Sequence, residues 1–198
     1  MRVRAFVVAI MVVLLAACGV NSIPTAEETA KAKWADVQAS FQSRANLIPN
    51  LVETVRASAA SEQAILTGVT QARAAATQIT VSPEQLTDPA AMQRLAEAQS
   101  RLSATLVQLQ QRLQEAYPEL QSQRNYTTLM SQLEGAENRI RIDIRDYNEA
   151  VRAYNTEIRT FPSVIGARII YGSQPMVPYQ AVTPGAEVAP RVDFGNSQ

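Results

Sequence analysis

Histidine is missing from this sequence altogether, and cysteine occurs once, at position 18. Without an imidazole there is no Ser-His-Asp or Cys-His catalytic arrangement, no His-ligated zinc or haem, and no Glu-x-x-His di-iron site of the helical-bundle kind. A lone cysteine also excludes a disulfide within the chain. An excess of charge of one sign is missing too: 18 Lys+Arg stand against 18 Asp+Glu, so nothing electrostatic recruits nucleic acid. What remains is 46% hydrophobic over 198 residues, enough for the core of one domain or two small ones. No catalytic residue, cofactor or metal is implied.

A long hydrophobic run is also lacking. Met1-Arg2-Val3-Arg4 is basic and is followed by an apolar stretch from Ala5 to Ala17. As a helix that stretch would measure roughly 20 Å, short of the ~30 Å hydrocarbon core of a bilayer. It has the shape of a secretory signal peptide. Leu15-Ala16-Ala17-Cys18 resembles a bacterial lipobox: small residues at Ala16 and Ala17 let an extended backbone enter a peptidase cleft, and the Cys18 thiolate is the nucleophile that accepts diacylglycerol. The alternative is an uncleaved signal-anchor in which Cys18 is an ordinary apolar residue. Either way the rest of the chain is expected beside the cell or outer membrane, on the exported side of a bacterial envelope. Cleavage removes Arg2 and Arg4 from the 18 basic residues, leaving 16 against 18 acidic, a net charge of −2. A mildly acidic mature chain is not expected to bind anionic lipid through its surface.

The body of the chain has helical periodicity. A seam in steps of three and four runs from Trp34 through Val37, Phe41, Ile48, Leu51, Val55, Ile65, Val69, Ala72 and Ala76 to Ile79, interrupted only by Arg44, Ser58 and Glu62. It passes through Pro49, which removes the bond to the Ala45 carbonyl; a bend is expected there, or a turn at Asn46–Pro49 that splits the segment. A break follows over Thr80 to Pro89, with Asp88 the N-cap and Pro89 the first helical position. The second seam, from Met92 to Leu113 and Ala116, ends or kinks at Tyr117-Pro118, and the third, from Tyr126 to Phe161, starts at the cap Asn125 and is stopped by Pro162. Ser163 to Tyr171 is short and apolar, and from Gly172 on the prolines 175, 178, 184 and 190 predict a flexible tail. The expected fold is all-α: an antiparallel up-and-down bundle of three long helices, or four if the first splits at Pro49. Its parts are a signal peptide (1–17), a lipidated tether (18–28), the bundle (29–162), and the apolar segment with its tail (163–198).

Three charged residues fall on the apolar seams: Arg44, Glu62 and Glu137. Unpaired burial of charge costs several kcal/mol, so each needs a partner from another helix, such as Arg44 with Glu137 or Glu62 with Arg101. Tyr147-Asn148 and Tyr154-Asn155 repeat at seven residues and share one helix face. With Glu137 they form a candidate polar ladder, either a core network that fixes register or a recognition groove. Tyr117-Pro118 and Phe161-Pro162 are expected to plug the ends of the bundle. Asp143 and Asp146, among Arg139, Arg141 and Arg145, read as a solvated face.

Five collinear motifs carry a resemblance: Trp34-Ala35-Asp36-Val37 with Arg44-Ala45-Asn46-Leu47-Ile48-Pro49-Asn50-Leu51-Val52-Glu53-Thr54-Val55; Glu115-Ala116-Tyr117-Pro118-Glu119-Leu120; Leu133-Glu134-Gly135-Ala136-Glu137-Asn138-Arg139-Ile140; Tyr147 to Asn155; and Phe161-Pro162. Over residues 34–162 the chain resembles the LemA family of bacterial membrane-associated helical proteins. The resemblance implies a helical bundle with an N-terminal membrane attachment and no established catalytic activity. The family commonly begins with a longer spanning helix, where this chain has the lipobox-like segment, and the Gly/Pro-rich tail lies outside the resemblance. The expected role is an envelope scaffold or adaptor for a protein partner; the alternative is a ligand- or peptide-binding sensory module with a polar pocket between helices.

Overall fold

Aliphatic seams at helical spacing are stable only when each seam finds another, and that requirement sets the architecture. The computed structural model describes residues 21–59 and 62–181, and among them there is helix and no strand. The long elements are α1 (Ser22–Ser58), α2 (Gln63–Gln78), α3 (Pro89–Ala116) and α4 (Arg124–Glu157), with a short α5 (Ser163–Gly166). Pro83–Thr87 and Pro118–Ser122 are 3-10 turns, and Ala167–Tyr171 is a π turn. The signal peptide, lipobox and Cys18 lie outside the described residues, as does the tail from residue 182.

The first seam is two helices, and the division is not at Pro49. Helix α1 continues through Pro49, because the carbonyl that proline orphans is satisfied from outside: Arg73 on α2 donates its Nε–H to the Ala45 carbonyl at 2.7 Å. The division lies instead between Ser58, where α1 ends, and Gln63, where α2 begins. Ser58 and Glu62, two of the three polar positions on the seam, stand on either side of it. Glu62 is buried there, and its carboxylate accepts from Arg112 Nε at 3.3 Å and from the Tyr117 hydroxyl at 3.2 Å. The pairing anticipated with Arg101 is therefore made by Arg112, about three helical turns farther along α3.

Cross-helix bonds set direction. Ser22 meets Glu157, Ser40 meets Asp143, Arg44 meets Glu137 and Ser58 meets Gln123, so α1 and α4 run antiparallel along their whole length. Gln99 bonds to the Ala76 carbonyl while Arg112 reaches Glu62, so α2 and α3 are antiparallel as well. Helix α3 starts as its sequence dictates, with Asp88 Oδ1 accepting from the Ala90 amide at 2.9 Å and Pro89 next to the cap. Helix α4 differs at both ends. It begins at Arg124 with no side-chain cap, placing Asn125 inside the first turn, and it ends at Glu157, well before Pro162.

Two apolar clusters form the core. One gathers Trp34, Phe41, Leu95, Tyr147 and Tyr154; the other gathers Ile48, Leu51, Leu66, Leu102, Leu109 and Leu133. Arg44 and Gln99 are buried between them. Two expectations are overturned here. Phe161 is 81% exposed and plugs nothing, and the tail from Gly172 is ordered against the helices through residue 181, with Met176 and Tyr179 buried.

The Pro49–Arg73 relationship is testable by a double-mutant cycle. Arg73→Met should cost about 1.5 kcal/mol, the scale of a hydrogen bond to a charged donor, and distinctly less in a Pro49→Ala background, where the backbone supplies its own donor. Urea denaturation of the four proteins measures the coupling; its absence would show that the guanidinium does not substitute for the missing N–H.

Candidate functional site

Arg44 is the centre of the polar network. Its side chain is 1% exposed, on the α1 face that looks toward both α3 and α4. One guanidinium nitrogen donates to the Glu137 carboxylate and to Ser103 Oγ at 2.7 Å; the other donates to Gln99 Oε1 at 2.5 Å. The Phe41 ring lies beneath the guanidinium carbon, 5.8 Å from its centroid. Nε alone has no partner. Gln99 then passes the chain of bonds to the Ala76 carbonyl at 3.3 Å. Four helices thus meet at one buried charge.

One turn and more along the same interface, Ser40 Oγ donates to Asp143 at 2.5 Å, with Arg139 3.6 Å from the same carboxylate oxygen. Asp143 is buried, which corrects its reading as part of a solvated face; Asp146, paired with Arg145, is more open. The signal for Asp143 was cross-helical, since only the antiparallel register of α1 and α4 places Ser40 opposite it.

The tyrosine–asparagine repeat does not form a ladder with Glu137. It clasps the proline-rich segment. Asn148 donates to the Tyr179 carbonyl at 2.9 Å and accepts from the Tyr179 amide at 2.8 Å. Asn155 does the same for Met176, at 2.8 and 2.9 Å. Seven residues of helix advance about 10.5 Å, and three residues of extended chain advance about 10 Å. The heptad spacing of the asparagines therefore matches the spacing from Met176 to Tyr179, with the strap running opposite to α4. Between them the Val177 carbonyl accepts from the Tyr147 hydroxyl at 2.9 Å, and the Val177 amide donates to the Leu86 carbonyl at 2.8 Å. Proline leaves a chain short of donors and unable to extend a helix, so side-chain amides are what can hold it.

Tyr179 links the strap to the charge network. Its ring packs 5.9 Å from that of Phe41, and burial pushes its phenol up to about 12. Tyr147, tilted against Trp34 at 5.0 Å, is raised by burial as well, and so is Tyr154. The Trp34 indole N–H is satisfied by the Val81 carbonyl at 2.8 Å. These phenols stay neutral and act as packing groups with polar tips.

An open groove of about 700 Å³ lies farther along, between α3 and α4. Leu106, Val107, Leu109 and Leu113 form one wall, Tyr126, Met130 and Leu133 the other, and Leu51 of α1 the floor. Glu137 reaches its edge from the charge network. Among the described residues no cluster of three or more His, Cys, Asp or Glu is placed to hold a metal ion, and no helix is long and apolar enough to cross a membrane.

The LemA family model matches residues 33–194, most of the chain, from just before Trp34 through the groove, the charge network and the strap. The chain belongs to the LemA family. No curated protein matches its sequence. The reach of the LemA match to residue 194 corrects the reading that left the tail outside the resemblance: the strap is part of the family's domain, and the asparagines that hold it are LemA-domain residues.

Two outcomes follow. Glu137→Gln should cost about 2 kcal/mol, because it leaves the enclosed Arg44 cation with neutral partners only, while Glu149→Ala, on the exposed face of the same helix, should stay within about 0.5 kcal/mol. Equal denaturation midpoints would show that Arg44 does not depend on the carboxylate. Asn148→Ala with Asn155→Ala should accelerate hydrogen exchange at the Met176 and Tyr179 amides, which lose their acceptors, and leave the α1 amides unchanged; unchanged rates at 176 and 179 would refute the clasp.

Proposed function

We propose that this LemA-family chain is a non-catalytic adaptor of the bacterial envelope: an up-and-down helical bundle, lipid-anchored through Cys18, whose α3–α4 groove receives an apolar helical segment of a protein partner. The observation that carries the reading is the groove itself. Apolar side chains at helical spacing run along its walls among glutamines and other polar residues, and Val107 stands 51% exposed on its rim. From Tyr126 to Glu137 the groove is about 16 Å long, which accommodates two to three turns of an added helix docked by its apolar face.

The competing reading, a polar ligand pocket, has less to support it. Asn148 and Asn155 spend their amides on the chain's own strap, and Arg44 spends most of its donors on Gln99, Ser103 and Glu137. The polar side chains that do face the groove, among them Gln110, Gln114, Glu134 and Arg141, edge a surface built of leucine, valine, methionine and tyrosine. An anchor strengthens the adaptor reading, because confining both partners to one membrane raises their effective concentration without any new contact.

Cys18→Ala should either release the chain from the membrane fraction or leave an unlipidated precursor; continued incorporation of labelled fatty acid would sink the lipobox. For the groove, a photo-crosslinking residue at position 107 in intact cells should give one discrete adduct that Met130→Lys abolishes while the helical content of the protein is retained. An adduct insensitive to Met130→Lys places the partner elsewhere.

A further inference from the structure

Among the described residues seven large hydrophobic side chains are exposed, and five of them stand between positions 161 and 171: Phe161, Ile165, Ile169, Ile170 and Tyr171. Phe161 and Ile169 are 81% and 79% exposed. These are not scattered surface residues. Residues 165 and 169 follow at helical spacing through α5 and the π turn that continues it, and Gly172, at φ 59°, ends the turn and directs the chain into the strap. Both neighbouring structures, the α1–α4 pair and the strap, leave this apolar tip uncovered.

Its position says what covers it. Glu157 Oε1 accepts from Ser163 Oγ at 2.5 Å and also from Ser22 Oγ, so one carboxylate ties the first residue of α5 to the first residue of α1. Those two hydroxyls hold the Glu157 carboxyl below the usual carboxylate range. The chain enters the bundle beside the tip. Cys18 precedes Asn21 by three residues, at most about 11 Å of extended backbone, and the apolar run Ala5–Ala17 adjoins it. Whichever of the two attaches the chain, the hydrocarbon is within reach of Ile165 and Ile169. The charge agrees: Arg159 and Arg168 are exposed, and no Asp or Glu occurs from 158 to 171, although the mature chain as a whole is mildly acidic.

We infer that the 161–171 tip is a second membrane contact, an interfacial wedge whose phenylalanine and isoleucines enter the acyl–headgroup boundary beside the anchor, with Arg159 and Arg168 at the level of anionic headgroups and Tyr171 at the interface. A lipid or signal-anchor at the chain's start fixes one point only, so a second apolar contact on the same end adds buried apolar area and stops the bundle from swinging about that point. The inference rests on the membrane attachment proposed above.

The test uses the full chain with its N-terminal attachment, carrying either Ile169→Trp or Val107→Trp, in vesicles of phosphatidylethanolamine and phosphatidylglycerol with brominated acyl chains. The tip predicts a blue shift and loss of emission at position 169 and neither at 107; Trp34 is enclosed and common to both. A chain that floats with the vesicles but keeps its emission at 169 overturns the wedge and leaves the attachment standing. A chain that does not float overturns the attachment and, with it, lipid as the occupant of the tip. A dimer that Ile169→Asp converts to monomer assigns the face to a second copy of the chain and overturns the inference too.

Discussion

A guanidinium cannot discharge itself, so the enclosed Arg44 must be met by fixed acceptors wherever the helices settle. Those acceptors come from α3, through Gln99 and Ser103, and from α4, through Glu137. Sliding any one helix by a heptad, about 10 Å, would strand the charge at a cost that aliphatic packing elsewhere could not offset. Hydrophobic seams by themselves tolerate such slips, since one leucine resembles the next. The polar belt therefore supplies register, and the two apolar clusters on either side of it supply most of the stability.

Above that belt the helices are covered by a strap, not by another helix. Trp34, Phe41 and Tyr147 present bulky, half-polar surface between α1 and α4, and Met176 and Tyr179 close it. A helix laid over those rings would bring its own side chains and need more space. An extended chain brings a side chain every 3.3 Å or so and lies flat, provided something satisfies its backbone; Asn148, Asn155 and Tyr147 do so from α4 and Leu86 from the 3-10 turn.

Periodicity was enough to read the all-helical class, the stop at Tyr117-Pro118, the Asp88-Pro89 start and the pairing of Arg44 with Glu137, because each rests on local spacing or on the penalty for stranded charge. What it left illegible depends on distant partners. Pro49 reads locally as a bend or a splitting turn, and only Arg73, from another helix, supplies the donor its missing N–H leaves wanting. Ser58 and Glu62 were visible as flaws in the first seam, yet a polar residue on a seam signals either a buried pair or a turn, and only Arg112 and Tyr117 decide between them. The strap was hidden most deeply: proline spacing marks a segment that cannot be helix, but its order is written in two asparagines 21 and 31 residues upstream of the residues they hold.

The groove and the tip occupy opposite reaches of the molecule. Leu51, on the groove floor, is 29 residues beyond Ser22 on α1, or roughly 43 Å along the axis. Strap, wedge and chain entry all gather at the Ser22 end, so a partner can fill the groove without dislodging any of them. The groove does share residues with the charge network: Glu137 and Ser103 both line it while holding Arg44. A partner bringing a lysine or arginine to that edge would compete for the carboxylate on which the helix register depends, and would loosen the bundle it binds. An apolar helix face makes no such demand, and this is the physical reason for assigning the groove to one.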